Sequence, residues 1–212
     1  MGKAENGSAS KAEITREQLY RTAMKLIDQY GYEKVTVQMI CRACNIAVGS
    51  FYKYFDSKES LLVLESRKND EIFENKVKKE LKEEDPEKYI RRYFTYYTDA
   101  NIRIGTDLYM RTYGKKKVDM RLEQMRPMFT VLGDFLREKQ REGKVRNDIH
   151  VISIVHNLFT VVRGVIIDWC IADGKYDLHK AVQEILTPLI HYYVTKDAGG
   201  SSENAPESGE KE

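Results

Sequence analysis

The side chains best suited to specific recognition in this chain lie together in the segment 48–53. The segment offers small, hydroxyl, aromatic and basic groups in the order Val48, Gly49, Ser50, Tyr52 and Lys53. Hydroxyl and amine donors bind base edges and phosphates, and small apolar groups contact the methyl group of thymine. A short helix that carries such a set has the chemistry of a helix that enters a DNA major groove.

Two short amphipathic helices must position this segment. Ile40 lies on the apolar side of the first helix and Phe51 on that of the second. Between them, Asn45 tolerates the positive φ angle that a tight turn requires. We expect the first helix over about 36–44 and the second over about 48–54, which together form a helix-turn-helix.

Capping boxes predict the helices on either side of this pair. Thr15 and Gln18 have the spacing of a box that starts helix 1, and Gly31 is placed to end that helix. Asp56 and Glu59 have the same spacing at the start of a long helix 4. The later part of helix 4 is highly charged, so we expect it to connect the reading head to a second domain.

The same stretch carries a pattern of spaced residues that is specific to one family. The residues that carry it are Gly31, Thr36, Val37, Ile40, Ala43, Gly49, Phe51, Tyr52, Tyr54, Phe55, Ser57, Lys58 and Glu59. By this pattern the run from Ile14 to Leu62 resembles the TetR-type transcriptional regulators. The resemblance implies that Ser50, Tyr52 and Lys53 touch bases or phosphates. It also implies that Thr36 caps helix 2 on the phosphate side and that Lys58 clamps a phosphate.

Two positions depart from the family pattern. Ala47 stands where the family often has Ser or Thr, and alanine cannot cap the recognition helix through its side chain. Val48 stands where a lysine is common, and it can pack against a thymine methyl group instead. The operator sequence therefore does not carry over from any relative.

Composition restricts the broader class of the protein. The chain has 212 residues, 42% of them hydrophobic and 32% charged, with a net charge of only +2. These values favour an all-α protein and exclude a broadly basic nucleic-acid coat. Three cysteines without a framework spacing fit a reducing cytoplasm, and the N-terminus lacks the apolar stretch of a secretory signal. We therefore expect a cytoplasmic protein.

Cys41 and Cys44 have CxxC spacing inside the head. One interpretation is a thiol-redox switch that distorts the reader when it is oxidised. The alternative is that both thiols fill small buried sites, as cysteine often does. No second Cys/His pair completes a zinc site, so we predict no metal and no cofactor.

The organisation of the chain follows from these segments. We predict a disordered arm over 1–13, a helix-turn-helix DNA-binding domain over 14–62, a helical ligand-binding and dimerisation domain over 63–195, and a disordered tail over 196–212. The whole fold is all-α, with about nine helices. In the second domain, a helix is predicted to start at Pro86, and helix breaks are predicted at Gly105 and Gly114. Another helix is predicted from about Arg121 to Glu142. Asp148 and Asp177 are predicted to cap the two helices that follow.

The C-terminal region has more apolar positions than one protomer can bury. The segment 151–171 is apolar almost all round, but Arg163 and Asp168 within it argue against a membrane span. With the helix at 178–194 it suggests a four-helix bundle made by two copies, which is also how TetR-like proteins dimerise. The expected interface residues are Ile152, Val162, Ile166, Trp169, Leu178, Val182, Ile185 and Leu189. A two-fold dimer presents two heads to a roughly palindromic operator, with half-sites about 34–36 Å apart or a multiple of it.

An aromatic segment over 89–113 suggests a cavity for a small molecule. Mostly apolar walls with a few polar groups are what such cavities need, although aromatic stripes at helical spacing also form ordinary core. The resemblance favours the cavity. The expected lining residues are Tyr93, Phe94, Tyr97, Tyr109, Met110, Tyr113, Met128, Phe129, His156, Phe159 and Arg163.

The leading hypothesis is a homodimeric transcriptional regulator, a repressor that binds operator double-stranded DNA and is released by a small-molecule effector. An all-α enzyme acting on an apolar substrate is the first alternative, but the four histidines are scattered and no Glu-x-x-His pattern occurs. The second alternative is a thiol-redox-responsive regulator that uses Cys41 and Cys44. A DNA-binding protein without a ligand, and activation in place of repression, also remain open on sequence alone.

Overall fold

The computed structural model describes residues 11–114 and 125–195, with side chains over 16–111 and 125–195. Most of the predicted arm, the tail from 196 and the basic run at 115–117 lie outside the described residues. The side chain of Tyr113 also lies outside them, so its predicted role has no structural description.

Nine helices form the described part of the chain, if the continuous stretch from 60 to 80 counts as one. The head contains α1 (Lys11–Tyr30), α2 (Val37–Ala43) and α3 (Val48–Phe51). Helix α4 (Ser60–Ile72) continues through a π-helical turn (Phe73–Val77) into Lys78–Glu80. The remaining helices are α5 (Pro86–Ile104), α6 (Thr106–Gly114), α7 (Pro127–Arg141), α8 (Val151–Ile171) and α9 (Leu178–Tyr193). The predicted all-α fold is confirmed.

Several predicted boundaries are confirmed by backbone geometry. Gly31 and Gly105 end their helices with φ angles of 81° and 78°, in the left-handed region that favours glycine. Pro86 occupies the first turn of α5. The Asp177 side chain accepts a hydrogen bond from the Lys180 amide at 3.0 Å and so caps α9.

Other boundaries differ from the prediction. Helix α3 is shorter than expected because the chain leaves the helix after Phe51. Helix α4 begins only at Ser60, since the Glu59 side chain makes no capping bond and the Ser57 amide donates to the Ser60 hydroxyl at 3.3 Å. The predicted box at 56–59 is therefore wrong.

Three further helix starts also differ. Helix α1 begins at Lys11, ahead of the predicted Thr15. Helix α8 is capped by the His150 ring, whose Nδ1 accepts from the Ile152 amide at 3.2 Å. The predicted cap, Asp148, is paired instead with Arg146. Helix α7 begins at Pro127.

The π-helical turn in α4 keeps one face of a long helix toward the core. The residues buried along this stretch are Asn69, Phe73, Val77 and Leu81, each four positions after the last. In a regular α-helix a four-residue step drifts by about 40° around the axis, so this stripe would turn away from the core. The wider turn compensates for the drift.

Two separate hydrophobic clusters lie in the described residues. The head cluster joins α1, α2 and α3 around Leu19, Ile40 and Phe51, and it includes Leu61 of α4. The larger cluster, called here the sensor core, joins the later helices around the aromatic rings of α5 and the buried face of α8. The domain boundary predicted near residue 62 stays a prediction.

Within 11–114 and 125–195, only α8 is long and apolar enough to cross a membrane by length and composition. The central helix of a packed core passes the same test. Here α8 packs against α6, α7 and α9.

Candidate nucleic-acid interface

The helix-turn-helix is built by local hydrogen bonds around two turns. The Thr36 hydroxyl accepts from the Met39 amide at 3.2 Å and caps α2, which confirms the predicted cap. Asn45 has a φ of 54° and confirms the predicted left-handed turn. The Ile46 amide closes that turn on the Cys41 carbonyl at 3.0 Å. Ala47 begins α3 without a side-chain cap, as its type predicts.

Aromatic packing fixes α3 on the head. Phe51 is fully buried and Phe55 is 3% exposed, with their ring centroids 5.3 Å apart. Tyr52 meets the edge of Phe51 at 5.6 Å, while more than half of its own surface stays exposed. The backbone of the short helix is therefore held on one side, and the other side is free to meet a partner.

That outer side carries the predicted reader. Val48 is 39% exposed and Tyr52 54% exposed, Lys53 and Gly49 are exposed, and Ser50 is half-buried. A Cβ atom at Gly49 would meet nothing within 4 Å, so the missing side chain leaves room outside the protein. The structure brings these five residues together on one surface, and their contacts with DNA stay predictions.

Sequence reasoning missed three neighbours of this surface. Gln38, Arg42 and Asn45 are exposed, and together with Ala47 and Val48 they line an open concavity of about 650 Å³ between α2 and α3. The signal was present in the sequence, because Gln38 and Arg42 are four positions apart and so share one side of α2. Their amide and guanidinium groups are donors of the kind that bind base edges.

Lys58 has partners inside the protein. Its Nζ donates to the Tyr32 carbonyl at 2.7 Å and to the Val35 carbonyl at 2.9 Å, and lies 4.0 Å from the centre of the Tyr32 ring. These contacts tie the start of α4 to the loop between α1 and α2. A lysine ammonium has three N–H donors, so the third can still reach a phosphate, and the predicted phosphate contact stays a prediction.

A polar contact joins the head to α6, and we call it the α6 clasp. The Asp107 carboxylate accepts from the Tyr32 amide at 2.7 Å and from Arg111 Nε at 3.1 Å. Arg111 also pairs with Glu33, and its guanidinium lies 5.3 Å from the centre of the Tyr32 ring. Burial, and then the nearby Glu59 carboxylate, raise the pKa of Tyr32 to about 12, so the ring is neutral at physiological pH.

Adjacent residues of α6 enter different hydrophobic clusters. Leu108 is 1% exposed and belongs to the head cluster, whereas Tyr109 is fully buried in the sensor core. Ile104, just before α6, packs against both clusters. One short helix is therefore in direct contact with both parts of the molecule.

The two head thiols are poorly placed for redox chemistry. Cys41 is 1% exposed, and burial raises the pKa of its thiol, which disfavours the reactive thiolate. Cys44 is half-buried, with its Sγ 4.0 Å from the Gln18 carbonyl oxygen. The described residues contain no group of His, Cys, Asp and Glu that could hold a metal ion.

The predicted ligand-binding residues mostly meet in the sensor core. Phe159 lies at its centre, with ring centroids 4.2 Å from Phe129, 5.0 Å from Tyr97 and 5.1 Å from Phe94. Burial raises the pKa of Tyr93 well above its ordinary value, and the hydroxyl donates to the Met128 carbonyl. Whether these residues line a ligand stays a prediction.

The remaining predicted lining residues differ in their exposure. His156 and Arg163 are half-buried on α8, and the Arg163 guanidinium lies 5.8 Å from the centre of the Phe129 ring. Tyr109 is fully buried. Met110 is 39% exposed, and its place in a ligand cavity stays a prediction.

Five of the predicted dimer-interface residues are buried within the single chain. Val162, Ile166, Trp169, Leu178 and Val182 are at most 8% exposed, so they offer little surface to a second copy, and their place in an interface stays a prediction. They fill the chain's own core because α8 and α9 pack against each other and against α5 and α7.

The other three predicted interface residues keep exposed or half-buried positions. Ile185 is 39% exposed and Leu189 half-buried on α9, whereas Ile152 is 45% exposed and lies at a groove between α7 and α8. Sequence analysis missed Ile167, which is 38% exposed, and Ile171, which is 72% exposed.

These observations define a class of protein: an all-α regulator with a helix-turn-helix head joined through α6 to a second, aromatic core. Residues 9–63 match the tetR family of bacterial regulatory proteins, and residues 59–192 match the C-terminal region of YsiA-like proteins. The second match alone spans more than half of the chain. The chain belongs to the TetR family of transcriptional regulators, as the sequence pattern predicted.

Relatives along nearly the whole chain support this assignment. The chain is 25% identical over 183 residues to the fatty acid metabolism regulator protein of Bacillus subtilis (strain 168), covering 82% of this chain and 94% of that protein. Its fold is shared with the Bacillus subtilis regulator FadR in complex with stearoyl-CoA (TM-score 0.67, 20% identity, 82% and 97% coverage). It is also shared with Thermus thermophilus FadR, a TetR family repressor, in complex with lauroyl-CoA (TM-score 0.61, 18% identity, 89% and 100% coverage).

Proposed function

We propose that this protein is a cytoplasmic, homodimeric repressor that binds a roughly palindromic operator and is released by an acyl-CoA thioester. The observation that carries the proposal is that α6 contacts both hydrophobic clusters. This one helix therefore joins the head, which carries the proposed DNA-binding surface, to the aromatic sensor core. The family consists of regulatory proteins, which favours a regulator over an enzyme.

The effector class is drawn from the relatives and from the chemistry of the core. Two proteins that share this fold bind lauroyl-CoA and stearoyl-CoA, and one relative regulates fatty acid metabolism. The sensor core around Phe159 is apolar and aromatic, which suits a long alkyl chain. In the present conformation the rings pack on one another, so an acyl chain must displace some of them.

Dimerisation is supported by one exposed face on α8 and α9. The face carries Ile167, Ile171, Ile185 and Tyr192, with exposed fractions of 38%, 72%, 39% and 55%. Gly164 lies in the same helix with nothing within 4 Å of an added Cβ, so a second helix can approach closely there. Exposed apolar residues grouped on two neighbouring helices are typical of an interface.

The effect of ligand binding reaches the head through α6, because this helix contacts both hydrophobic clusters. An acyl chain that enters the sensor core displaces side chains near Tyr109, and the same helix carries Leu108 and the clasp residues Asp107 and Arg111. A movement of α6 therefore shifts the loop between α1 and α2. The effector lowers operator affinity only if it binds the displaced state better than the DNA-binding state.

The proposal is tested by a gel shift with the DNA that flanks the protein's own coding sequence. Tyr52→Ala should lose most of the binding, since an exposed phenol at the centre of the reader is removed. The matched control is Tyr30→Ala, because Tyr30 is also an exposed tyrosine, 45% accessible, but lies at the end of α1. If Tyr52→Ala, Tyr30→Ala and wild type behave alike on every promoter tried, operator binding by this surface is wrong.

The effector is tested separately by thermal shift with lauroyl-CoA, coenzyme A and choline. Only lauroyl-CoA should raise the melting temperature strongly, because only it supplies an apolar chain for the sensor core. Equal stabilisation by coenzyme A alone would contradict an acyl-binding core. No stabilisation by any of the three would contradict the proposed effector class.

A further inference from the structure

A surface groove lies between α7 and α8, beside the sensor core. Its volume is about 130 Å³ and its walls are mainly apolar. Gly133 lies buried in its wall, and a Cβ added there would be 3.8 Å from Val155, an ordinary contact distance. Because residue 133 lacks a side chain, the groove stays open at the point where the two helices approach each other.

Phe129 belongs both to the lining of this groove and to the sensor core. Phe129 lines the groove and is only 5% exposed. Its ring centroid lies 4.2 Å from that of Phe159, which is fully buried at the centre of the core. A rotation of the Phe129 ring would therefore connect the groove with the interior.

Two polar side chains in the lining of the groove, His156 and Arg137, can donate hydrogen bonds to an acyl thioester. Nδ1 of His156 is buried without a hydrogen-bond partner, while Nε2 of the same ring lies 3.4 Å from the Thr160 hydroxyl. If Thr160 donates to Nε2, the ring proton is on Nδ1 and can be donated to a carbonyl oxygen. At the rim, the exposed Arg137 guanidinium pairs with Asp134 at 2.7 Å.

We infer that this groove is the route by which the acyl chain of the effector reaches the sensor core, with Phe129 as the side chain that moves. The inference rests on the proposed function. The groove walls take the alkyl chain, His156 donates to the thioester carbonyl, and Arg137 leaves Asp134 for the phosphates of the head group. Phosphate binds a guanidinium through two parallel hydrogen bonds, which favours this exchange of partners.

Stopped-flow binding of pyrene-labelled dodecanoyl-CoA to the full chain tests the route. Gly133→Leu fills the groove and should slow association by about tenfold or more, because the chain must pass the new side chain. Gly133→Ala is the matched control, since its methyl group fits at an ordinary contact distance and alanine favours the helix. It should associate within about twofold of wild type.

A second variant that blocks the groove keeps the test valid if Gly133→Leu fails to fold. Ile152→Trp places a large ring at the groove edge from a side chain that is already 45% exposed, so it leaves the core packing alone. It should slow association as well. If both Gly133→Leu and Ile152→Trp associate at the wild-type rate, the route is wrong although the effector class stands. If wild type itself binds no probe, the proposed effector fails and the inference with it.

The head-group contact is tested by equilibrium titration with lauroyl-CoA and with free dodecanoic acid. Arg137→Gln should weaken lauroyl-CoA binding by about three- to tenfold and leave the free acid nearly unchanged, because only the thioester carries phosphates. Arg141→Gln is the matched control, since Arg141 is exposed on the same helix one turn further on. Equal losses for both ligands, or equal effects of Arg137→Gln and Arg141→Gln, would show that Arg137 has no head-group contact.

Discussion

The α6 clasp predicts that Asp107→Ala uncouples the effector from the operator. The substitution removes the acceptor of the Tyr32 amide, at 2.7 Å, and one partner of Arg111, at 3.1 Å. A hydrogen bond to a charged group contributes about 1.5–3 kcal/mol, but Asp107 is exposed and water replaces part of that contribution. We expect a loss of about 1 kcal/mol in the coupling between the two sites, which is about a fivefold smaller effect of the ligand on operator affinity.

Fluorescence anisotropy with labelled operator, measured with and without lauroyl-CoA, gives the ratio of the two operator affinities directly. Asp107→Asn is the graded control, because an asparagine oxygen still accepts from the Tyr32 amide while the charge facing Arg111 is lost. Its effect should lie between wild type and Asp107→Ala. Glu33→Gln should change little, since Glu33 is 67% exposed. A full effector response in Asp107→Ala, with only the melting temperature lowered, would refute the clasp as a coupling element.

Three further predictions test other parts of the account. Thr36→Ala should lower the free energy of unfolding of the head by about 1 kcal/mol in urea titrations, because the α2 cap at 3.2 Å is lost; an unchanged midpoint would contradict that cap. Ile167→Glu should convert the dimer to a monomer, because it places a charge in the exposed α8–α9 face. Light scattering measures the molar mass, and an unchanged dimer mass would place the interface elsewhere. Cys41→Ala should bind the operator like wild type before and after peroxide treatment, because the Cys41 thiol is buried and its pKa is raised. If peroxide weakens operator binding by wild type but not by the variant, the redox alternative is restored.

Local features of the head were predictable because short-range chemistry decides them. A left-handed turn at Asn45, a glycine stop at Gly31 and a hydroxyl cap at Thr36 each depend on residues at most a few positions apart. The same holds for the helix break at Gly105. The box at 56–59 failed because Ser60, one position further on, supplies the competing hydroxyl.

Contacts between distant residues were not predictable from spacing. The amide of Tyr32 and the carboxylate of Asp107 are 75 positions apart, and Lys58 reaches a carbonyl 26 positions earlier. Nothing in the neighbouring residues marks these side chains as partners, so the clasp and the carbonyl contacts of Lys58 appear only in the fold. A family pattern supplied a phosphate contact for Lys58, but the fold adds two carbonyl acceptors.

Which stripe of α8 is buried within the chain was not predictable either. Helix α8 is apolar on almost every side, so periodicity cannot tell which stripe packs inside its own chain. The fold buries Val162 and Ile166 and leaves Ile167 and Ile171 outside. Neighbouring positions on one helix thus have opposite roles, and only the packing of α9 distinguishes them.

The most direct test of the central claim is an operator-release titration. Purified wild-type protein is bound to labelled DNA from its own promoter region, and lauroyl-CoA is added while anisotropy is followed. The account predicts release of the DNA by lauroyl-CoA and no release by an equal concentration of coenzyme A. Operator that stays bound at saturating lauroyl-CoA, or that coenzyme A releases equally well, would contradict it.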